Sequence, residues 1–252
     1  MPALPDLATC KKLGFIVPSS NHAVEPITTA IIQSTHSNII CLFTRIRVLT
    51  LSPDAKTASQ FSSANLIPAA QLLADAQCDA ILWNGTSGMF IGTTYEDDLK
   101  LAKQMTEACG VPCATTAIAT VEALQALGIK RLSIAVPYTE ALTAKVRDFF
   151  DGCGFIVVKT ARLEETPSSN LEVAKSSSAA ITEVITRSDS GESEAIVVAC
   201  TNWPGAGLVE QMEVELDKPV IDSIVVTAWK ALKMIGFSNK LEGWGRLLTN
   251  FE

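Results

Sequence analysis

Apolar residues along this chain follow two rhythms. Short β-branched runs predict strands near residues 13–17, 40–49, 79–84, 112–115, 131–136, 154–159, 195–199 and 219–221. Between them the apolar spacing lengthens to that of helices. Residues 96–109 carry Leu99, Ala102, Met105, Thr106 and Cys109 on one side and stop at Gly110; residues 118–127 carry Val121, Leu124 and Leu127 and stop at Gly128. Strand and helix alternate throughout, which predicts an α/β fold with largely parallel strands.

The pattern also repeats. Leu13-Gly-Phe-Ile-Val-Pro-Ser-Ser20 and Leu132-Ser-Ile-Ala-Val-Pro-Tyr138 are both apolar runs ending at a proline followed by a hydroxyl residue. Ile81-Leu-Trp-Asn-Gly-Thr-Ser87 stands to the first as Ile196-Val-Val-Ala-Cys-Thr-Asn202 stands to the second. A third pair, Val111-Pro-Cys-Ala-Thr-Thr116 and Lys218-Pro-Val-Ile-Asp-Ser223, follows each, leading into a helical stretch. The expectation is two similar, pseudo-symmetric lobes, each a parallel sheet flanked by helices, with a functional cleft between them. The first lobe spans residues 1–118 and the second 119–223, with 224–252 packing back on the first. The two copies differ where it matters for chemistry: one places Gly85 and the other Cys200 at the same strand end, so these two should face each other.

Composition narrows the function. A chain of 252 residues, 48% apolar and 19% charged, can bury a large core without covalent staples. A net charge of −7 with no basic run longer than Lys11-Lys12 or Lys130-Arg131 argues against nucleic acid. No apolar segment approaches the ~20 residues that span a bilayer, and the first residues lack the charged and apolar regions of a secretory signal. Seven scattered cysteines without a CxxC pair suit a reducing cytoplasm, and two histidines with no ligand spacing leave no metal site. Neither GxGxxG nor GxxxxGK[ST] is present, so no nucleotide cofactor is expected.

In such folds ligands bind beyond the carboxyl ends of strands. The loops there are Pro18-Ser-Ser-Asn21, Asn84-Gly-Thr-Ser-Gly88, Pro137-Tyr-Thr139 and Cys200-Thr-Asn202. They offer hydroxyls, amides and backbone N–H groups but no carboxylate, which favours binding an anion, a carboxylate above all. Each residue also has a plainer use: Thr86, Ser87, Asn21 and Asn170 suit helix caps, Gly85 a tight turn, Tyr138 and Cys200 the core. Trp83 and Trp203 flank the loops, either shaping an apolar pocket or, the plainer reading, packing in the core. His22 reads as a surface residue.

These motifs resemble the aspartate/glutamate racemase superfamily, within it the branch of maleate cis-trans isomerases and arylmalonate decarboxylases. Gly14 to Asn21 is similar to that branch's first substrate loop, Val136-Pro-Tyr138 to its tyrosine loop, and Asn170-Leu-Glu-Val-Ala174 to the isomerase segment bearing a substrate-binding asparagine. Ala199-Cys200 with Lys218-Pro219-Val220 matches the second-lobe cysteine and the strand after it. Gly85-Thr86-Ser87 is similar to the decarboxylases, where glycine replaces the first-lobe cysteine and two hydroxyls bind a carboxylate.

The resemblance implies a cofactor-free, metal-free enzyme that decarboxylates a small malonate-type dicarboxylate through an enediolate. Cys200 would donate the proton, Gly85 would mark the vacant thiol position, and Ser20, Asn21, Thr86, Ser87, Tyr138, Asn170 and Thr201 would bind substrate. A helix starting at Cys200 would lower its thiol pKa, and the N–H groups of Cys200 and Thr201 would help hold the carboxylate. Cysteine introduced at Gly85 would supply a thiol on the opposite face. The alternatives are a maleate-type cis-trans isomerase or racemase, or a carboxylate-binding protein without activity. A homo-oligomer is left open.

Overall fold

The computed structural model describes residues 5–48, 59–91, 94–167 and 169–250. Eight strands form two four-stranded sheets. The first holds β1 (Lys11–Pro18), β2 (Ile39–Ile46), β3 (Ala80–Trp83) and β4 (Cys113–Thr115) in the order β2-β1-β3-β4. The second holds β5 (Arg131–Val136), β6 (Ile156–Arg162), β7 (Ala195–Val198) and β8 (Val220–Asp222) in the order β6-β5-β7-β8. Every pairing is parallel, and the second order is the first with each label advanced by four. The duplication read from the sequence is thus a duplication of topology.

The inner strands explain their own composition. From Leu13 onward β1 is buried, as are all of β3 and β7, because helices cover both faces of a parallel sheet; such strands are continuously apolar rather than alternating. The outer strands β2 and β6 are mostly half-buried. Two predicted strands differ. The one expected at 154–159 begins at Ile156, because Gly154 takes φ 84° and the Phe155 N–H closes back on the Phe150 carbonyl at 3.1 Å, finishing the preceding helix. The one expected at 40–49 spans Ile39–Ile46, and Leu49 lies outside the described residues.

The principal helices are α1 (Val24–Gln33), α2 (Ser63–Asp75), α3 (Tyr95–Cys109), α4 (Thr116–Ala126), α5 (Glu140–Gly152), α6 (Asn170–Val173), α7 (Ser178–Ser188), α8 (Val209–Leu216), α9 (Ser223–Met234) and α10 (Arg246–Thr249). Local chemistry sets their ends. A capping box joins Thr94 and Asp97 at the start of α3, and left-handed Gly110 (φ 73°) stops it. Helix α4 starts two residues before its predicted onset because β4 runs straight into its cap, Thr115, whose Oγ1 accepts the Ile118 N–H at 3.2 Å.

Helices α4 and α9 follow the last strand of each sheet and pack on one another. Thr116 Oγ1 and Thr227 Oγ1 share a hydrogen bond of 2.8 Å between them, and Lys230 pairs with Glu122. Helix α9 also lies against α1, and the Trp244 indole donates to Ser34 Oγ at 2.9 Å, so residues after 224 touch elements of the first sheet. One continuous apolar core runs through both sheets, from Leu13 and Phe15 to Val198 and Ile224; each large side chain fully buried there contributes about 1.5–3 kcal/mol. A smaller cluster around Ile16, Phe61, Leu66 and Trp83 backs the first sheet. Among the described residues no helix is long and apolar enough to cross a membrane.

Candidate active site

The carboxyl ends of β1, β3, β5 and β7 converge on one cleft between the two sheets. It is lined by Pro18, Asn21, Val48, Phe61, Trp83, Gly85, Thr86, Ser87, Phe90, Tyr138, Asn170, Cys200, Thr201 and Asn202. Eight of the nine residues expected from the sequence are therefore gathered here. The ninth, Ser20, stands behind them and accepts a hydrogen bond from Asn170 Nδ2 at 2.8 Å. Asn202 was not singled out by sequence reasoning, although it lies in a recognised loop. Its Oδ1 accepts the His22 N–H at 3.2 Å and its Nδ2 donates to the Asn170 carbonyl, stitching three loops together.

The two halves meet through polar side chains. Asn21 Nδ2 donates to Thr201 Oγ1 at 3.3 Å, while its Oδ1 accepts the N–H groups of Ala23 and Val24, both at 3.0 Å. Asn21 thus braces the chain that enters α1 and also lines the cleft. Arg45 holds the same loop by donating to the carbonyls of Ser19 and Asn21, with its charge paired to Glu25 at 2.9 Å. Thr86 Oγ1 and Tyr138 Oη lie 3.1 Å apart across the cleft, and the Tyr138 hydroxyl in turn hydrogen-bonds with the Cys200 sulfur. The His22 side chain points to solvent.

Cys200 is where the structure corrects the sequence most. No helix starts there; it sits in the turn after β7. Its N–H donates to the Val198 carbonyl at 3.1 Å and so is not free to hold a substrate oxygen. The thiol pKa is not lowered but pushed up to about 11, because burial removes water from any thiolate and the buried Asp222 carboxyl adds like charge. The Tyr138 hydroxyl and the N–H groups of Asn202 and Trp203 oppose this, without prevailing. At neutral pH the group facing the cleft is a protonated thiol. Tyr138 is likewise held well above its usual value by burial.

Around Gly85 the cleft holds no thiol, and a side chain there would meet Trp83. An ideal Cβ on Gly85 would lie 2.5 Å from Trp83 Cζ2 and 2.7 Å from its Cε2. The Trp83 indole thus fills the place of a side chain at 85. It is fully buried and fixed by donating from Nε1 to Ser87 Oγ at 3.1 Å. Of the two readings weighed for Trp83, core packing and shaping a pocket, the structure shows both: it is buried and it walls the cleft. A cysteine added at Gly85 therefore meets an aromatic ring, and supplies a thiol there only if the indole shifts.

In its present form the cleft has a cavity volume of about 20 Å³, room for roughly one water. Its donors are hydroxyls and amides with no formal charge, a set suited to sharing the charge of a carboxylate. Among the described residues no three His, Cys, Asp or Glu side chains cluster as metal ligands.

Two parallel-sheet lobes thus close on a cleft lined by one thiol and several hydroxyls. The arylmalonate decarboxylase family model matches residues 13–248, and the chain belongs to that family. The family includes both maleate isomerases and arylmalonate decarboxylases among this chain's relatives. A maleate isomerase of Geobacillus stearothermophilus is 25% identical over 249 residues, covering 94% of this chain and 97% of that protein. An arylmalonate decarboxylase of Bordetella bronchiseptica is 26% identical over 167 residues, 65% of this chain and 68% of that protein. Among solved structures, a Nocardia farcinica maleate cis-trans isomerase carrying a covalently bound succinylcysteine intermediate superposes with a TM-score of 0.87 at 25% identity, covering 97% of this chain and all of that one. An arylmalonate decarboxylase structure superposes at 0.80 with 20% identity, covering 95% of this chain and all of that one, a likeness of fold.

Proposed function

We propose that this protein is a cofactor-free decarboxylase of a small malonate-type dicarboxylate, with Cys200 as proton donor. The observation that carries this reading is a single cleft thiol, kept protonated, in the same cleft as a glycine whose side-chain place is filled by Trp83. Loss of CO₂ needs no base. The bond between the α-carbon and one carboxylate breaks, and its electron pair passes into the remaining carboxyl group as an enediolate. Cys200 then gives its proton to the α-carbon, and the thiolate recovers one from water. Thr86, Ser87 and Tyr138 hold the surviving carboxylate. Ser87 accepts the Trp83 N–H in its own hydrogen bond and keeps its hydroxyl hydrogen for a substrate oxygen.

A second reading, cis-trans isomerisation of maleate, is favoured by the maleate isomerases among the relatives. A cysteine attacking the double bond as thiolate has to ionise first, which the buried Cys200 resists. One experiment separates the two. Methylmalonate, phenylmalonate and maleate are each incubated with the protein in D₂O and followed by proton NMR. A monoacid with one deuterium at the α-carbon supports decarboxylation; fumarate from maleate without loss of carbon supports isomerisation and refutes the first reading. In either case Cys200→Ala should lower turnover by at least ~10², the usual loss of a positioned proton donor.

A further inference from the structure

We propose that Trp83 sets the size of acid this protein accepts: its indole is the partition between the cleft and a surface pocket, which limits the α-substituent to a small group. The proposal rests on the reading of the cleft as a carboxylate site and names its substrate class more closely. Trp83 lies two residues before Gly85, and its ring stands 2.5 Å from where a side chain at 85 would begin. It cannot swing aside freely, because Nε1 is tied to Ser87 and its ring packs on Phe61, centroids 6.0 Å apart.

On the far side of this ring lies a surface pocket of about 470 Å³, open to solvent, where Ile91 and Leu101 give an apolar floor and Asp97, Asp98, Lys100 and Gln104 a polar rim. Phe61, Trp83 and Ser87 border both spaces. The cleft itself measures about 20 Å³. Small acids therefore stay on the Cys200 side of the indole, and an aryl-bearing acid meets it. Removing the ring joins the cleft to a space large enough for a phenyl group, while Thr86, Tyr138 and Cys200 keep their places. Bulky acids should gain affinity and small acids should lose some through poorer packing.

The test measures binding of acetate and phenylacetate by calorimetry to the parent and to Trp83→Ala, which needs no turnover. The affinity ratio should move toward phenylacetate by at least ~10-fold, the scale on which apolar pockets discriminate by size. A folded Trp83→Ala with an unchanged ratio overturns the proposal, including the case in which both affinities fall together because the ring is only structural. Trp83→Leu serves the same comparison should the alanine variant fail to fold, with a smaller shift in the same direction. A parent that binds neither acid overturns the carboxylate reading itself, whereas a parent that prefers phenylacetate overturns only the role of Trp83.

Discussion

Replacing Asp222 with asparagine should make the protein more stable, and increasingly so as pH rises. Asp222 ends β8 and caps α9, where its Oδ1 accepts the N–H groups of Ile224 and Val225 at 2.8 and 3.1 Å. Its other oxygen is buried without a hydrogen-bond partner. Burial outweighs the two cap bonds and raises the carboxyl pKa from 3.8 to about 7. A raised carboxylate favours the fold while it is protonated. That contribution is whole below the unfolded pKa near 4 and is lost as pH climbs to and through about 7. At ~1.36 kcal/mol per pK unit, a displacement of roughly three units costs about 4 kcal/mol by pH 8.5 and about 1.5 kcal/mol at pH 5. Asparagine caps as well as aspartate; its amide leaves two buried N–H donors unpartnered against the single O–H of the protonated acid, a cost that does not vary with pH and so leaves the growth of the gain with pH intact. Urea unfolding of the parent and Asp222→Asn at pH 5 and pH 8.5 reads the difference directly. A gain that does not grow with pH, or a loss at pH 8.5, would refute the reasoning.

Two further outcomes follow from the cleft. Cys200, with a pKa of about 11, should carry roughly 0.1% thiolate at pH 8 and stay unmodified by iodoacetamide over times that fully label the half-exposed Cys10, as read by peptide mass spectrometry; equal labelling rates would contradict the protonated thiol. Gly85→Cys alone should lower stability to urea by about 1–3 kcal/mol through overpacking against Trp83, and give no α-carbon exchange of 2-methyl acids in D₂O. Parent-like stability with rapid exchange would mean that the indole yields.

Much of the architecture is local information. Apolar runs long enough for a strand and closed by Pro18 or Pro137, Thr94 and Asp97 opening a helix, and Gly110 closing it are each settled by a few neighbouring residues. The repeat of those signals was sufficient to anticipate two like sheets, and the loops at their carboxyl ends were legible as the meeting point of Asn21, Thr86, Tyr138 and Cys200. What the chain alone did not disclose depends on groups distant in sequence. The thiol of Cys200 looks activated beside a supposed helix start, yet its proton affinity is decided by how much water the folded protein removes and by Asp222 beyond it. Gly85 reads as an empty place for a side chain, yet the Trp83 ring folds back to occupy it. Sequence determines which groups are present and the elements that carry them. Only tertiary packing decides their dielectric surroundings and the space left between them, because both are summed over every neighbour at once.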